Sequence, residues 1–317
     1  MKTFKLIFPL VALLLGTNAC IESSDGNETT ETEAPAPKYS LAQWSFHRDL
    51  FDGSMTTFDF IKAAGEMGFD GVEYVNQFFL DKAEDKAFLD SLNATAEAAG
   101  VKNLMIQLDA IGNLCASNET ERTKAIETGK KWVDAAKYLN CTAVRVNAHG
   151  DGNADAIKTQ CLDGIGKLAD YANTQGIQVI VENHGGVSSR GEWLADLVAN
   201  LKDKNVGSLA DFHNWCYETV DGGLWGECVK EYDYYKGFAE LIPTAEGVSV
   251  KAINFDSTGN EPNLDFSKFF KIMKDGGYDG YLGVEYEGDD LPSREGIMKT
   301  KELAGKSWEA ANRMSAP

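Results

Sequence analysis

Positive charge is scarce in this sequence. Thirty lysines and arginines stand against 49 aspartates and glutamates, a net charge of −19 over 317 residues. A surface of this sign repels phosphate backbones, so we expect no binding to nucleic acid. Free anionic substrates are disfavoured for the same reason, and neutral small molecules suit the chain best. Histidine is scarce as well, with four in the whole chain, so the position of each one is informative.

Long apolar runs are also lacking. The N-terminal run, residues 6–16, is too short to span a bilayer. It follows two lysines and precedes Ala19-Cys20, a pattern typical of a secretory signal peptide. The position of Cys20 resembles the acylated cysteine of bacterial lipoproteins, and we expect it to carry a lipid. Thr17 and Ala19 also suit ordinary cleavage at the same bond, which would release a soluble secreted protein.

The segment after Cys20 is acidic, rich in Ser and Thr, and ends in Ala-Pro repeats. It has no apolar periodicity, so we expect a solvated tether. The predicted organisation is a signal peptide over 1–19, a lipidated cysteine and tether over 20–38, and a folded domain over 39–317. The protein is thus expected to be exported and held on the periplasmic or cell-surface side, with the lipid as its membrane contact.

The six cysteines show no Cys-x-x-Cys or Cys/His spacing typical of structural zinc. Without Cys20, five remain, an odd number. Cys216 and Cys228 are close enough in sequence to pair in an oxidising compartment. Cys115, Cys141 and Cys161 are expected to be buried thiols.

Apolar, β-branched runs alternate with amphipathic helical patterns eight times along the folded part. Several helical patterns end in glycine, the preferred residue after a helix. The strand starts recur about every 30–40 residues, as in a (β/α)8 TIM barrel, which is the predicted fold class of this α/β chain. The predicted strands are 40–46, 71–76, 103–109, 143–148, 178–183, 206–212, 248–254 and 281–286.

Polar residues cluster where these strands end, and a TIM barrel carries its chemistry at that end. All four histidines, His47, His149, His184 and His213, lie at or just beyond a predicted strand end. Three acids end largely apolar strands: Glu182, Asp211 and Glu285. Buried together, they would need a cation or shared protons. Mn²⁺ or Mg²⁺ suits such oxygen ligands, with Zn²⁺ or Co²⁺ also able to bind. The alternative is pairing with Arg145 and Lys251.

The sequence resembles the xylose-isomerase-like TIM barrels, often called sugar phosphate isomerases/epimerases. The resemblance lies in the Trp-Ser first strand and in GFDGVEY, RVNAHG, VENHGG, VGSLADFHNW, VSVKAINFD and GYLGVEYEG, spread over most of residues 40–310. It implies one divalent metal held by Glu182, Asp211 and Glu285. The family's strand-7 His-x-Lys corresponds to Ser249-Val250-Lys251, so the imidazole ligand is missing while the lysine remains.

The groups present suit proton transfer beside a sugar carbonyl, which needs carboxylates near the carbon and an electrophile at the oxygen. Glu182 and Glu285 would supply the acid and base, and the metal or Lys251 the positive charge. Trp44 and Trp215 offer flat faces for a sugar, although either could equally be core. The hydroxyl-binding candidates are Arg145, Asn147, His149, His184 and His213.

We therefore expect an exported isomerase or epimerase acting on a neutral sugar or sugar derivative. The same base could instead expel a glycosidic oxygen by β-elimination, which would make the protein a lyase acting on 3-keto-glycosides. A third interpretation is a sugar-binding lipoprotein without turnover, which Ser249 supports. Substrate identity and oligomeric state are not encoded in recognisable motifs.

Overall fold

The structure of the protein, a computed structural model, describes residues 36–315. The predicted signal peptide, the predicted lipidation site Cys20 and nearly all of the predicted tether lie outside the described residues. Within the described part, no helix combines the length and the apolar character needed to cross a membrane.

Eight parallel strands close into a barrel in the order β1-β10-β9-β6-β5-β4-β3-β2, which confirms the predicted TIM barrel. The barrel strands are β1 (Tyr39–Ala42), β2 (Gly71–Val75), β3 (Lys102–Gln107), β4 (Ala143–Asn147), β5 (Gln178–Glu182), β6 (Val206–Asp211), β9 (Ala245–Ala252) and β10 (Leu282–Tyr286). The predicted strands were right in number and order. The first was too long at its end, because residues 43–46 form a 3-10 turn.

Helices cover the outside of this barrel. They are α1 (His47–Phe51), α2 (Thr57–Glu66), α3 (Lys86–Ala99), α4 (Glu119–Tyr138), α5 (Ala154–Gln175), α6 (Gly191–Asn200), α7 (Tyr234–Leu241), α8 (Phe266–Asp275) and α9 (Ser293–Ser315). Their apolar faces and the outward side chains of the strands form the main core, whereas Met105, Ala143, Ile180 and Leu209 form a small separate cluster. Those four come from β3, β4, β5 and β6, and each lies two residues before a polar residue at or near the end of its strand.

Two further strands, β7 (Cys216–Thr219) and β8 (Cys228–Glu231), form an antiparallel hairpin between β6 and α7. The predicted Cys216–Cys228 disulfide joins them and is confirmed. The interpretation of Cys115 and Cys161 as thiols was wrong, because they also form a disulfide. Their loop and helix become neighbours only in the folded barrel. Cys141 is buried and free, as expected.

Candidate active site

A cavity of about 500 Å³ opens at the carboxyl ends of the barrel strands. This is the end at which TIM barrels carry their chemistry. Most of its lining residues carry polar or charged groups; the full lining is Trp44, Gln77, Gln107, Asp109, Arg145, Asn147, His149, His184, Leu224, Trp225, Lys251, Glu285 and Glu287. Seven residues that the sequence predicts to be catalytic or substrate-binding, Glu285 among them, therefore border one cavity.

Arg145 is the cation on the β3–β4 side of this cavity. Its guanidinium pairs with Asp109 and donates to Gln107, and its Nη1 lies 2.9 Å from Asn147 Oδ1. Burial opposes ionisation of Asp109, but the guanidinium outweighs it and lowers the pKa of this carboxyl to about 2. Asp109 is therefore ionised at neutral pH and suited to accepting hydrogen bonds from hydroxyl groups.

Lys251 is the cation on the β9–β10 side. Its Nζ lies 2.9 Å from Glu285 Oε1, 3.0 Å from Glu287 Oε2 and 3.9 Å from Asp211 Oδ2. Burial raises the pKa of Glu285 above its ordinary value, and the ammonium only partly offsets this. Burial acts on Glu287 too, but Lys251 and a 2.7 Å hydrogen bond from Trp44 Nε1 lower its pKa to about 2. Glu285 is thus the carboxyl suited to take up a proton.

Glu182 and Asp211 lie behind the cavity wall rather than on it. Glu182 Oε2 pairs with Arg145 Nε at 2.8 Å, and its Oε1 accepts from Asn214 Nδ2 at 3.0 Å. Burial raises the pKa of Glu182 despite Arg145. Asp211 is fully buried; its Oδ1 accepts the backbone N–H groups of His213 and Asn214. The predicted acid/base pair is therefore unequal in access, since Glu285 borders the cavity and Glu182 does not.

The histidines divide into two groups. His149 and His184 border the cavity, and burial, assisted by Arg145, lowers the pKa of His184 to about 3, so its ring is neutral at physiological pH. His47 stacks on Trp44 at the rim. His213 is not brought to the cavity wall; its Nε2 lies 3.7 Å from the buried Glu261. Trp215 is fully buried and serves as core, so of the two candidate sugar platforms only Trp44 reaches the cavity.

The sequence of this barrel also matches a known family. A family model described as a xylose isomerase-like TIM barrel matches residues 61–306. The chain belongs to this family. No curated protein matches the chain in sequence.

Several solved structures have the same fold as this chain. The 3-keto-D-glucoside 4-epimerase YcjR from E. coli has a TM-score of 0.63 and 15% identity, covering 84% of this chain and 98% of that one. The IolI protein with a bound zinc atom has a TM-score of 0.67 and 15% identity, covering 86% and 99%. A sugar phosphate isomerase/epimerase from Parabacteroides distasonis has a TM-score of 0.61 and 15% identity, covering 90% and 98%. At sequence identities this low, the structural similarity shows that these proteins share the fold of this chain.

The divalent metal implied by the xylose isomerase-like resemblance was tested against the donor set. Among the described residues, no three His, Cys, Asp or Glu side chains are gathered so that they could hold a metal ion. Glu182 is bound by Arg145, and Glu285 by Lys251. Lys251 is itself the cation that Glu285, Glu287 and Asp211 share. In this arrangement the residues do not fit a divalent metal, and the side chains follow the alternative pairing with Arg145 and Lys251.

Six cavity residues lay outside the predicted set: Gln77, Gln107, Asp109, Leu224, Trp225 and Glu287. Glu287 follows Glu285 by two positions, so both side chains point to the same side of the chain, and the alternation in GVEYEG is a signal that could have identified it. Asp109 follows the end of β3 by two residues, and its pairing with Arg145 becomes visible only in the folded structure. Trp225 lies on the hairpin outside the barrel pattern, and no signal in the sequence marks it.

Proposed function

We propose that this protein is a sugar isomerase or epimerase that moves a proton next to the carbonyl group of a neutral sugar. The observation that carries the proposal is the contact between Glu285 and Lys251 on the cavity wall. It puts a carboxyl whose pKa is raised beside a fixed positive charge, the two groups that such proton transfer needs.

In the proposed step, Glu285 takes the proton from the carbon beside the carbonyl. The electron pair of the broken C–H bond forms the C=C bond of an enediolate, and the negative charge moves to the carbonyl oxygen. The Lys251 ammonium stabilises that oxygen. For isomerisation, the proton of the adjacent hydroxyl group moves to the former carbonyl oxygen, the adjacent oxygen becomes the new carbonyl oxygen, and Glu285 returns its proton to the former carbonyl carbon. For epimerisation, a proton from solvent water adds to the original carbon from the opposite face, the carbonyl group re-forms, and Glu285 releases its proton to solvent.

The remaining wall would hold the sugar in position. Asp109 and Glu287 are ionised acceptors for hydroxyl groups, while Arg145, Asn147 and Gln107 offer donors. The wall carries three carboxyl groups and two cations, so a phosphate group would gain little electrostatic binding energy there. A neutral sugar is therefore the proposed substrate class, in agreement with the net charge of −19.

Known activities within the same fold support this proposal. YcjR is a 3-keto-D-glucoside 4-epimerase, and another neighbour is a D-psicose 3-epimerase solved in the presence of D-fructose, with a TM-score of 0.61 and 14% identity. The zinc atom of IolI supports a metal-assisted reaction, whereas the position of Lys251 favours an ammonium as the electrophile. The metal predicted from the sequence stays a prediction.

The test is hydrogen exchange in D2O, followed by NMR on a panel of neutral aldoses, ketoses and 3-keto-glucosides. The wild-type protein should place deuterium beside the carbonyl of its substrate. Glu285→Gln should slow this by about 10²–10⁴-fold. The matched control is Glu246→Gln, an exposed glutamate near the start of β9, which should behave as wild type. Unchanged exchange in Glu285→Gln would remove Glu285 from the mechanism.

β-Elimination of a 3-keto-glycoside is the second candidate, because it starts with the same proton removal and YcjR is named for a 3-keto-glucoside. Here the electron pair forms a C=C bond and expels the glycosidic oxygen, which takes up a proton. The products separate the two reactions: isomerisation and epimerisation conserve substrate mass, whereas elimination releases the aglycone.

Export and lipid attachment at Cys20 are also proposed. They are supported by the N-terminal sequence and by the Cys115–Cys161 and Cys216–Cys228 disulfides, since such bonds persist mainly in oxidising compartments. Mass spectrometry of the membrane-extracted protein should find a lipid on Cys20, and Cys20→Ser should abolish membrane attachment.

A further inference from the structure

The hairpin of β7 and β8 is an addition to the barrel that is held in a fixed shape. Its strands pair with each other and with no barrel strand among the described residues. The Cys216–Cys228 disulfide joins them, and Lys230 Nζ lies 2.6 Å from Glu218 Oε2. At its tip, Asp221 Oδ1 accepts hydrogen bonds from the Thr219 hydroxyl and the Gly223 N–H. A hairpin that is fixed by a disulfide and by hydrogen bonds at its tip can hold a side chain in a defined position.

The tip rests on the loop that follows β5. A Cβ atom on Gly185 would lie 2.9 Å from the Leu224 carbonyl oxygen, and one on Gly186 would lie 3.0 Å from Leu224 Cδ2. Both glycines have positive φ angles, +82° and +57°. The Gly-Gly pair therefore admits the hairpin tip over the cavity. There the Trp225 ring meets His184 edge-on, with 4.7 Å between ring centroids.

Trp225 borders the cavity and is nevertheless 55% exposed. Tryptophan is enriched among the residues that contribute most of the energy at binding interfaces. A second aromatic wall exists across the cavity, where Trp44 contacts Phe78 and the 63% exposed Phe51. Trp44 follows β1, while Trp225 stands over the loop after β5, four positions away around the ring of eight strands. The mouth thus lies between two aromatic walls.

We propose that Trp225 and Trp44 form an outer subsite for a second ring, so that the substrate class is a glycoside. Its sugar would react at Glu285 and Lys251, and the group attached to that sugar would contact the tryptophan faces. Indole faces bind the apolar face of a pyranose or an aromatic ring, and each such contact adds to the affinity from buried area. A cavity of about 500 Å³ accommodates a ligand of this size, since pockets that bind drug-sized ligands measure roughly 300–1,000 Å³. This inference rests on the proposed function in taking the inner group to be a sugar.

Binding, rather than turnover, tests the subsite. Calorimetry would compare phenyl and methyl β-glycosides of glucose, galactose and xylose, matched pairs that differ in the aglycone. For at least one sugar, the wild-type protein should bind the phenyl glycoside about tenfold more tightly than the methyl glycoside. Trp225→Ala should abolish this preference, while Trp225→Phe should retain most of it.

Val229→Ala is the matched control, an exposed apolar residue of the same hairpin that does not border the cavity. It should bind as wild type. The subsite is overturned if phenyl and methyl glycosides bind equally, if neither binds for any of the three sugars, or if Trp225→Ala keeps the preference. These results are independent of the deuterium exchange assay. If the wild-type protein shows no phenyl preference but its deuterium exchange depends on Glu285, the subsite alone is rejected. If exchange is unchanged in Glu285→Gln, the proposed function alone is rejected.

Discussion

Glu285 and Lys251 lie opposite each other on the paired strands β10 and β9, and their charged groups are 2.9 Å apart. The contact links the proposed base to the proposed electrophile. When Glu285 takes up a proton, its attraction for the ammonium weakens. Lys251 is then free to interact with the oxygen on which negative charge develops, so one proton transfer would serve both groups.

Removing the charge of Lys251 should destabilise the fold as well as the reaction. Lys251→Met leaves Glu285, Glu287 and Asp211 buried or half-buried without their shared cation, and we expect the free energy of unfolding to fall by about 3–5 kcal/mol. Urea unfolding measures it. Lys299→Met, which removes a surface lysine from a helical ion pair, should cost less than about 1 kcal/mol. A similarly small loss for both variants would contradict the role of Lys251.

Activity should rise with pH through a pKa above the ordinary glutamate value of 4.5. The reason is that burial raises the pKa of Glu285, and only its ionised form can accept a proton. A pH profile of kcat/KM checks this. A profile that is already flat just above pH 4.5 would show that a carboxyl with an ordinary pKa is the base.

Protein stability should change in the opposite direction over the same range. The raised pKa values of Glu182 and Glu285 mean that the folded state binds more protons than the unfolded chain above pH 4.5. Their contribution to the free energy of unfolding therefore falls as pH rises through those values. Thermal unfolding of Glu182→Gln beside wild type isolates the contribution of Glu182: the stability of the variant relative to wild type should increase as pH rises. A difference independent of pH would contradict the raised pKa of Glu182.

Chelation should leave the activity unchanged, because Lys251 already supplies the cation that the carboxylates share. Activity would be measured before and after EDTA, with elemental analysis of wild type and Asp211→Ala, repeated after adding Mg²⁺ or Mn²⁺. About one metal per chain, lost together with activity in Asp211→Ala, would contradict this and support the metal set that the family resemblance implies.

The two disulfides should differ in what their removal changes. Cys216→Ser/Cys228→Ser opens a shorter loop of 12 residues in a hairpin outside the barrel, so we expect loss of the phenyl glycoside preference with a smaller fall in Tm. Cys115→Ser/Cys161→Ser opens a loop of 46 residues, and chain entropy predicts a loss of up to about 4 kcal/mol. A larger fall in Tm for the hairpin variant would mean that the hairpin contributes to the core.

Much of the fold was predictable because the barrel strands are buried on both faces and read as short apolar runs. The strand-end acids Glu182, Asp211 and Glu285 were found in this way. The sequence did not predict which of these acids borders the cavity. Glu182 is held away from it by contacts with Arg145 and Asn214, which come from other parts of the chain and meet Glu182 only in the folded barrel. Cys115 and Cys161 were misjudged for the same reason.

The tryptophans show the limit more clearly. Trp215 follows a strand end as Trp44 does, yet it is fully buried, while Trp225 lies in a polar, glycine-rich stretch and borders the cavity. Periodicity places residues on a strand or helix, but it does not show which inserted loop returns to the barrel mouth.

The pairing of β1 with β10 has a consequence for the order of assembly during synthesis. The hydrogen bond from Trp44 to Glu287 joins residues 243 positions apart. One edge of β1 stays unpaired until β10 has been synthesised, near the end of translation. Glu285 arrives on that same last strand, so closure of the barrel and completion of the cavity are a single event, and a chain cut short before β10 has neither.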